Sequence, residues 1–387
     1  MDRAIELELI DELIGLRKER SQFLDDEIGS APVSHYVSEE RFSREQQAIF
    51  RKLPNAAAHA SEMPNPGDFR KVDIAGLPAL LTRDKTGSVH AFLNVCRHRG
   101  AQLVEESSGC KHRFTCPYHA WTYASDGRLI GAPHFASGFP GLEKGALGLK
   151  RLPAREAYGI IWVVPDPDTE FDFANWFGQI GDEFAKLDLA NAYVAAEDTI
   201  EIGANWKILV EGGIEAYHFK VAHKETIGPF FEDNLSSYQA FGPHMRSVLP
   251  RATMAKLAPS ERENWQLRDH ANILYTFFPL TQFLVQQDHT VMIASRPISA
   301  TKTELRIATL APNGKPGETG EDAGRWATHW ERNHNITRVT LDEDFALGEG
   351  IQTGLSSGAN TALNFGRFEG ALTAFNKAVD DMIDAAS

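Results

Sequence analysis

The sequence predicts an α+β protein, with a small all-β domain followed by a larger domain in which an antiparallel sheet packs against long helices. Three observations carry that expectation. Short alternating runs separated by turn residues fill the region from about Phe69 to Val164. Longer strand-like runs gather between 193 and 310. Helical periodicity holds over about 205–222, 322–349 and 367–385. A chain of 387 residues suits two domains sharing a substantial interface.

In chain order, MDRAIELELIDELIGLRKER places Ile5, Leu9, Leu13 and Leu16 on one face, so residues 1–30 read as an amphipathic helix. FRKVDI and LPALLTR flank Ala75-Gly76 as a strand pair, and a turn at Asp84–Gly87 leads into VHAFLNV. RFT and WTY continue the pattern, with a turn at Ser125-Asp126-Gly127. The β-rich stretch ends near Gly159–Val164, ahead of Pro165 and Pro167. The expected division is an N-terminal helical segment at 1–37 packing on the larger domain, a β-domain at 38–160 and the larger domain at 161–387. Strands are expected in the latter at 193–203, 272–278, 281–287, 289–297 and 302–310, with APNGKPGETG (311–320) as a polar loop. Neither an internal repeat nor a low-complexity tract interrupts this order.

Composition excludes several functions. With 39 Lys and Arg against 53 Asp and Glu, the net charge of −14 argues against non-specific nucleic-acid binding, which needs clustered cations. No apolar run approaches the roughly 20 residues that span a bilayer. The N-terminus lacks the apolar core and small-residue cleavage site of a signal peptide, so a cytoplasmic protein is expected. Three cysteines make no disulfide framework. Cys110 has no histidine at a useful spacing and reads as a small buried or half-buried thiol.

The other two cysteines carry the chemistry. Cys96-Arg97-His98 and Cys116-Pro117-Tyr118-His119 each offer one thiol and one imidazole, with 17 residues between His98 and Cys116. That pairing suits a [2Fe–2S] cluster with two thiolates on one iron and two imidazoles on the other. Replacing thiolates by neutral imidazoles raises the potential to about −150 to +300 mV, against about −400 mV for an all-cysteine cluster. Structural zinc also takes Cys and His, but usually spaces its near pair by two or more residues. Chance co-occurrence is the remaining alternative.

A second constellation lies in NWKILVEGGIEAYHFKVAH, which holds Glu211, Glu215, His218 and His223. On a continuous helix the first three share a face. His218 and His223 stand about 140° apart on an ideal helix, so they chelate one metal only where it bends or breaks. Gly212 and Gly213 weaken it just upstream. Two histidines and one carboxylate hold Fe(II) in non-haem oxygenases. The acidic knot Asp342-Glu343-Asp344 is the best source of the carboxylate. Taken alone, two surface or core histidines and a solvated helix start explain these residues better than a metal site does.

NVCRHRGAQL and FTCPYHAWTY resemble the cluster-binding loops of the Rieske ring-hydroxylating oxygenases. The resemblance implies Cys96 and Cys116 on the buried iron and His98 and His119 on the outer iron. Ala120 departs from the family, which usually has Gly after the second His; Ala there should shift the loop without removing a ligand. NWKxxxE…ExYHxxxxH is similar to the family's mononuclear-iron helix, and DEDFALGEGIQTGL to the segment supplying its third ligand. The match implies His218, His223 and Asp344 as iron ligands, with Asp342 and Glu343 as alternatives, and places Glu349 and Gln352 in register. Glu215 stands where most members carry an Asp that links the cluster His of one subunit to an iron-bound His of the next. Members acting on quaternary amines such as carnitine also have Glu there.

The resemblance, running from about 36 to 385, further implies a Rieske [2Fe–2S] domain and a helix-grip catalytic domain. It implies a homotrimer, dioxygen, a small organic substrate, and electrons from an NAD(P)H-dependent flavin/iron-sulfur reductase, with or without a ferredoxin. The expected activity is hydroxylation of an aromatic or other small organic substrate. The alternative within the family is oxidative N- or O-demethylation of a quaternary amine or methoxy compound. Phe230, Phe231, Tyr275, Phe277, Phe283 and His244 are candidates to line the substrate cavity, although an ordinary core role is the better account of each. Outside that reading stand a Rieske electron carrier with an inactive second site and a zinc-stapled binding module.

Overall fold

Residues 1–167, 169–314 and 323–386 are described by the structure, a computed structural model. Most of the loop expected at 311–320, and the start of the helix expected at 322, lie outside them. The chain forms two compact units, Phe50–Phe173 and Met1–Ile49 with Ala174–Ser387.

In the first unit, Asp68–Ile74, Leu77–Arg83 and Val89–Leu93 form a meander at the centre of a five-stranded sheet. Ala75 and Gly76 both have positive φ (52° and 75°), the geometry a two-residue hairpin turn requires. Arg113–Thr115, Thr122–Ala124 and Leu129–Gly131 form a smaller sheet, and residues 116–121 cap its first hairpin. Phe69, Phe92, Phe114, Trp121 and Tyr123 fill the core beneath that tip, together with Cys96 and Cys116.

The second unit is built on a seven-stranded antiparallel sheet among the described residues. Its spatial order is Ala192–Ile202, Lys302–Pro312, Thr290–Ser299, Thr281–Val285, Ala271–Phe277, His244–Pro250, Ser237–Phe241. One face carries Leu274, Gln282, Leu284 and Ile293 towards a cavity beneath the helices Trp206–Ile214 and Ala323–Ser356. On the other face Tyr275, Phe277 and Phe283 pack with Phe184 of the helix Phe173–Ala185. The N-terminal helix is Arg3–Glu19, ended by Arg20 in the left-handed region (φ 51°), and Gly29–Pro32 then pairs with Ala362–Phe365.

Several elements differ from expectation: the helix expected over 1–30 ends at Glu19, and Gly29–Pro32 and Ser237–Phe241 are strands outside the expected set. The helix expected at 205–222 stops at Ile214, and the one expected to end near 349 runs to Ser356. His244–Pro250 was not expected as a strand because it is buried along its whole length and shows no alternation. Its charge, Arg246, is paired with Glu183, whose two carboxylate oxygens accept from Nη1 at 2.6 and 2.7 Å on the face opposite the cavity.

Candidate active site

Two loops of the first unit carry the cysteines and histidines. Cys96 follows the strand Val89–Leu93, and its N–H donates to the Ala101 carbonyl (2.8 Å) while Gly100 donates back to the Cys96 carbonyl (3.0 Å). In the second loop Cys116 donates to the Trp121 carbonyl and Ala120 to the Cys116 carbonyl, at 2.8 and 3.0 Å. Ala120 sits at φ 55°, in the left-handed region that favours glycine, so the backbone angle itself explains the preference for Gly at this point.

The two thiols are buried and the two imidazoles half-buried. His98 and His119 face one another through Nδ1 atoms 3.1 Å apart, as two donors aimed at a common point would. Tyr123 lies under the first loop, its hydroxyl 3.4 Å from the Cys96 sulfur and accepting from the Arg97 N–H at 3.0 Å. Trp121 stacks on His98 at 4.9 Å and 9°. Burial pushes the Cys96 thiol up, so its thiolate needs a positive neighbour. Among the described residues these four do not close to the spacing of a single ion. The set therefore fits two irons, with sulfur inside and nitrogen outside, and does not fit the zinc alternative.

The second constellation does close to one ion. The helix Trp206–Ile214 starts on Asn205, whose side chain caps the Lys207 N–H at 2.9 Å. It ends because Glu215 turns extended (φ −126°, ψ 162°) and its Oε2 accepts from the Tyr217 and His218 N–H groups instead. His218 then opens, and His223 closes, the single turn Phe219–Ala222. The break thus falls before His218 and not between the histidines. Glu211 and Glu215 consequently do not share a face.

His218 Nε2 and His223 Nε2 are 3.2 Å apart, and Asp344 Oδ1 lies 3.4 and 3.0 Å from them. Three donors at right angles about an ion, with bonds of about 2.1 Å, stand about 3 Å from each other, so this triangle fits a facial two-histidine, one-carboxylate set. Each imidazole is held from behind. Glu215 Oε1 bonds His218 Nδ1, and Glu343 Oε2 bonds His223 Nδ1 at 2.6 Å while accepting from Thr226 Oγ1 at 2.6 Å. Both Nε2 atoms are left for the ion. Asp342 turns away and pairs with Arg338 at 2.8 Å. The role of Glu343 escaped the sequence reading, although its neighbour Asp344 was the signal that pointed to it.

The triad opens on a cavity of about 560 Å³. Its wall is mainly aliphatic, with Glu211 and Glu369 as further charged groups and no Lys or Arg among the described lining residues. Glu211 Oε1 accepts from Tyr36 Oη (2.7 Å) and Asn376 Nδ2 (2.8 Å), and burial pushes its carboxyl up to about 7. Four of the six candidates for the cavity lining take the core role instead. Tyr275, Phe277 and Phe283 belong to the opposite face of the sheet, because residues one apart on a strand point to opposite sides. His244 is a satisfied core histidine, bonding the Trp176 carbonyl (2.8 Å) and the Phe278 N–H (3.0 Å), and burial holds its pKa down to about 4. Phe230 and Phe231 line an adjoining chamber.

Two family models match the chain. That of the ring-hydroxylating alpha subunit catalytic domain covers residues 189–385, and that of the Rieske [2Fe-2S] domain covers residues 54–152. The glycine betaine monooxygenase oxygenase subunit of Pseudomonas aeruginosa is 35% identical, over 93% of this chain and 90% of the relative. The chain belongs to the Rieske ring-hydroxylating oxygenase family. It is accordingly the terminal oxygenase component of a Rieske non-haem iron system, an oxidoreductase with a [2Fe–2S] cluster and a mononuclear iron that works with a reductase and a small substrate.

Other members of this family extend the comparison. The carnitine monooxygenase oxygenase subunit of Acinetobacter pittii is 28% identical over 84% of this chain and 85% of the relative. In fold the chain is similar to a quaternary ammonium Rieske monooxygenase in complex with L-carnitine (TM-score 0.73, 23% identity, 90% and 95% covered). It is also similar to naphthalene 1,2-dioxygenase from Rhodococcus sp. (TM-score 0.76, 18% identity, 98% and 98% covered). No helix among the described residues is long and apolar enough to cross a membrane.

Proposed function

We propose that this oxygenase oxidises an N-methyl group of a cationic ammonium compound, releasing the methyl carbon as formaldehyde. The observation that carries the proposal is the cavity beside the His218–His223–Asp344 triangle, where every charged group besides the histidines is a carboxylate. A cation is stabilised there and an arene with an anionic ring substituent is repelled. The relatives acting on glycine betaine and carnitine, together with Glu at 215, support the same reading.

In this reading Cys96, Cys116, His98 and His119 hold the cluster, and His218, His223 and Asp344 hold the iron. Bound iron supplies dioxygen activation; one oxygen atom enters a methyl C–H bond and the other leaves as water, consuming two electrons and two protons. The hydroxymethyl ammonium product then breaks its C–N bond to give the tertiary amine, formaldehyde and a proton. The chain's own groups set the geometry. Glu215 and Glu343 hold the Nδ1 sides of the two imidazoles, which fixes their tautomers and leaves Nε2 to ligate. Glu211 and Glu369 face the substrate cation, and the aliphatic wall excludes water around the methyl group.

We further assign a cyclic homotrimer in which the Glu215 side of one chain meets the His119 side of the next. An NAD(P)H-dependent flavin/iron-sulfur reductase, with or without a ferredoxin, supplies the electrons. A cytoplasmic setting keeps Cys96 and Cys116 reduced for cluster assembly. The test is NADH- and oxygen-dependent turnover of a panel of ammonium and aromatic compounds with a surrogate reductase, read by mass spectrometry. Formaldehyde release is expected; gain of two oxygens and two hydrogens by an arene refutes N-demethylation in favour of ring dihydroxylation. With iron supplied in excess to offset the looser hold on His218, Glu215→Ala should fill both metal sites and still stop turnover, and unchanged turnover removes Glu215 from the mechanism.

A further inference from the structure

The cavity beside the triad has a second chamber. A space of about 400 Å³ adjoins it, and the two share Ile227, Asn272, Leu284, Thr340 and Leu341 in their walls. The chambers have opposite electrostatic character. The inner one carries carboxylates and no Lys or Arg, while the outer one carries Arg251 and no Asp or Glu among its described lining residues.

Arg251 follows the strand His244–Pro250, and its own N–H donates to the His270 carbonyl at 2.7 Å. The guanidinium is half-buried, lies 6.0 Å from the Phe231 ring and, among the described residues, makes one side-chain hydrogen bond, from Nη2 to Asn272 Oδ1 at 2.6 Å. It forms no ion pair among the described residues. Arg246, five residues earlier in that strand, shows the contrast: its guanidinium is paired with the Glu183 carboxylate. Burial lowers the Arg251 pKa, and Asp269 and Asp288 act on it only from a distance. A guanidinium stays charged at neutral pH, and withdrawing it from water without an anion is unfavourable. Its remaining N–H donors are free to meet one, and two of them in a planar fork match a carboxylate. Asn272 lines both chambers while holding Arg251, so it fixes the cation at the junction with the inner cavity.

We propose that Arg251 is the carboxylate-binding end of the substrate site. The substrate class is then a zwitterion whose ammonium methyl lies in the inner cavity and whose carboxylate crosses the shared wall to Arg251. This rests on the reading of the inner cavity as the place of N-methyl oxidation, and it names what stands at the other end of the molecule.

The test uses the holoenzyme and the trimethylammonio carboxylic acids from acetate to pentanoate, each paired with its primary amide. Binding is measured anaerobically by calorimetry for the wild type, Arg251→Gln and Arg251→Lys. We expect one acid of the series to bind about tenfold or more tightly than its amide, since a charge-assisted bidentate pair exceeds a neutral hydrogen bond by that order. Arg251→Gln should remove that difference while leaving amide binding within about twofold, and Arg251→Lys should keep part of it. The visible spectrum, iron content and melting temperature identify variants that are intact. Equal binding of acid and amide, equal loss of both in Arg251→Gln, or binding by no acid of the series overturns the proposal. Formaldehyde release from the same compounds is scored separately. Arg251-dependent binding without any product would leave the subsite standing and refute the oxidation proposed for the inner cavity.

Discussion

Loading iron into the triad should release protons, and its affinity should climb steeply with pH. Burial alone lowers the His218 pKa, but the Asp344 hydrogen bond and then the Glu215 hydrogen bond and charge outweigh it and push it up to about 10. His223 is raised as well, against burial, by Asp344 and Glu343. Without metal at pH 7, His218 is therefore an imidazolium, and only the neutral ring ligates. Removing its proton at pH 7 costs about 1.36 × (10 − 7), or about 4 kcal/mol. Each pH unit between 7 and 9 reduces that cost by about 1.4 kcal/mol, so affinity should rise about tenfold per unit, more where His223 is also protonated. The assay is calorimetric titration of iron-stripped protein with Co(II) between pH 6.5 and 9, in buffers of different ionisation enthalpy. About one proton or more should leave per ion bound at pH 7. The sign also fixes the behaviour of the stripped protein. Its raised His218 pKa contributes stability that is fully present below about 6.5 and lost as pH rises towards 10. Metal affinity that stays flat over this range, with no proton release, would refute the reasoning.

Three further outcomes follow from particular contacts. Ala120→Gly relieves a left-handed backbone angle and should stabilise the cluster-binding unit by about 1 kcal/mol, read as a higher denaturation midpoint for loss of the visible cluster absorbance. Glu343→Ala removes the group behind His223 and should weaken Co(II) binding by about 10- to 100-fold while the [2Fe–2S] spectrum stays unchanged. Arg246→Met leaves Glu183 buried without its partner and should cost about 3–5 kcal/mol in denaturant unfolding, with little change in Co(II) affinity because the pair lies across the sheet from the triad.

The parts of the site that were legible in the sequence are those set by short spacing. Cys96 to His98 and Cys116 to His119 lie within single loops, so their chemistry is readable without tertiary structure. The same holds where a strand alternates, as over the first half of Lys302–Pro312. The end of the helix at Ile214 was not legible, since the apolar pattern continues through Tyr217 and Phe219 and only the Glu215 side chain, bonding backbone N–H groups, diverts it. Nor was the face of the sheet. Leu274 and Tyr275 are both buried, so a period of two separates two faces without saying which one meets the cavity. Arg251 gave no signal at all, because an unpaired cation is recognised only when the residues around it are known.

The acidic knot shows how one pair of neighbours divides two tasks. Successive residues on a helix lie about 100° apart, so Glu343 and Asp344 on Ala323–Ser356 leave the axis in different directions. They meet again on one ring: Asp344 Oδ1 approaches His223 Nε2 at 3.0 Å, and Glu343 Oε2 bonds its Nδ1 at 2.6 Å. The imidazole is thereby clasped on both nitrogens, and the longer of the two side chains reaches the far one. Asp342, the third of the run, points elsewhere because another 100° carries it to Arg338. Around His218 the same clasp is assembled from two segments, Glu215 on Nδ1 and Asp344 near Nε2. Asp344 is thus the one carboxylate shared by both rings, while Glu215 and Glu343 each serve a single ring. A change at either glutamate should loosen one histidine, whereas a change at Asp344 removes the centre to which both are aimed.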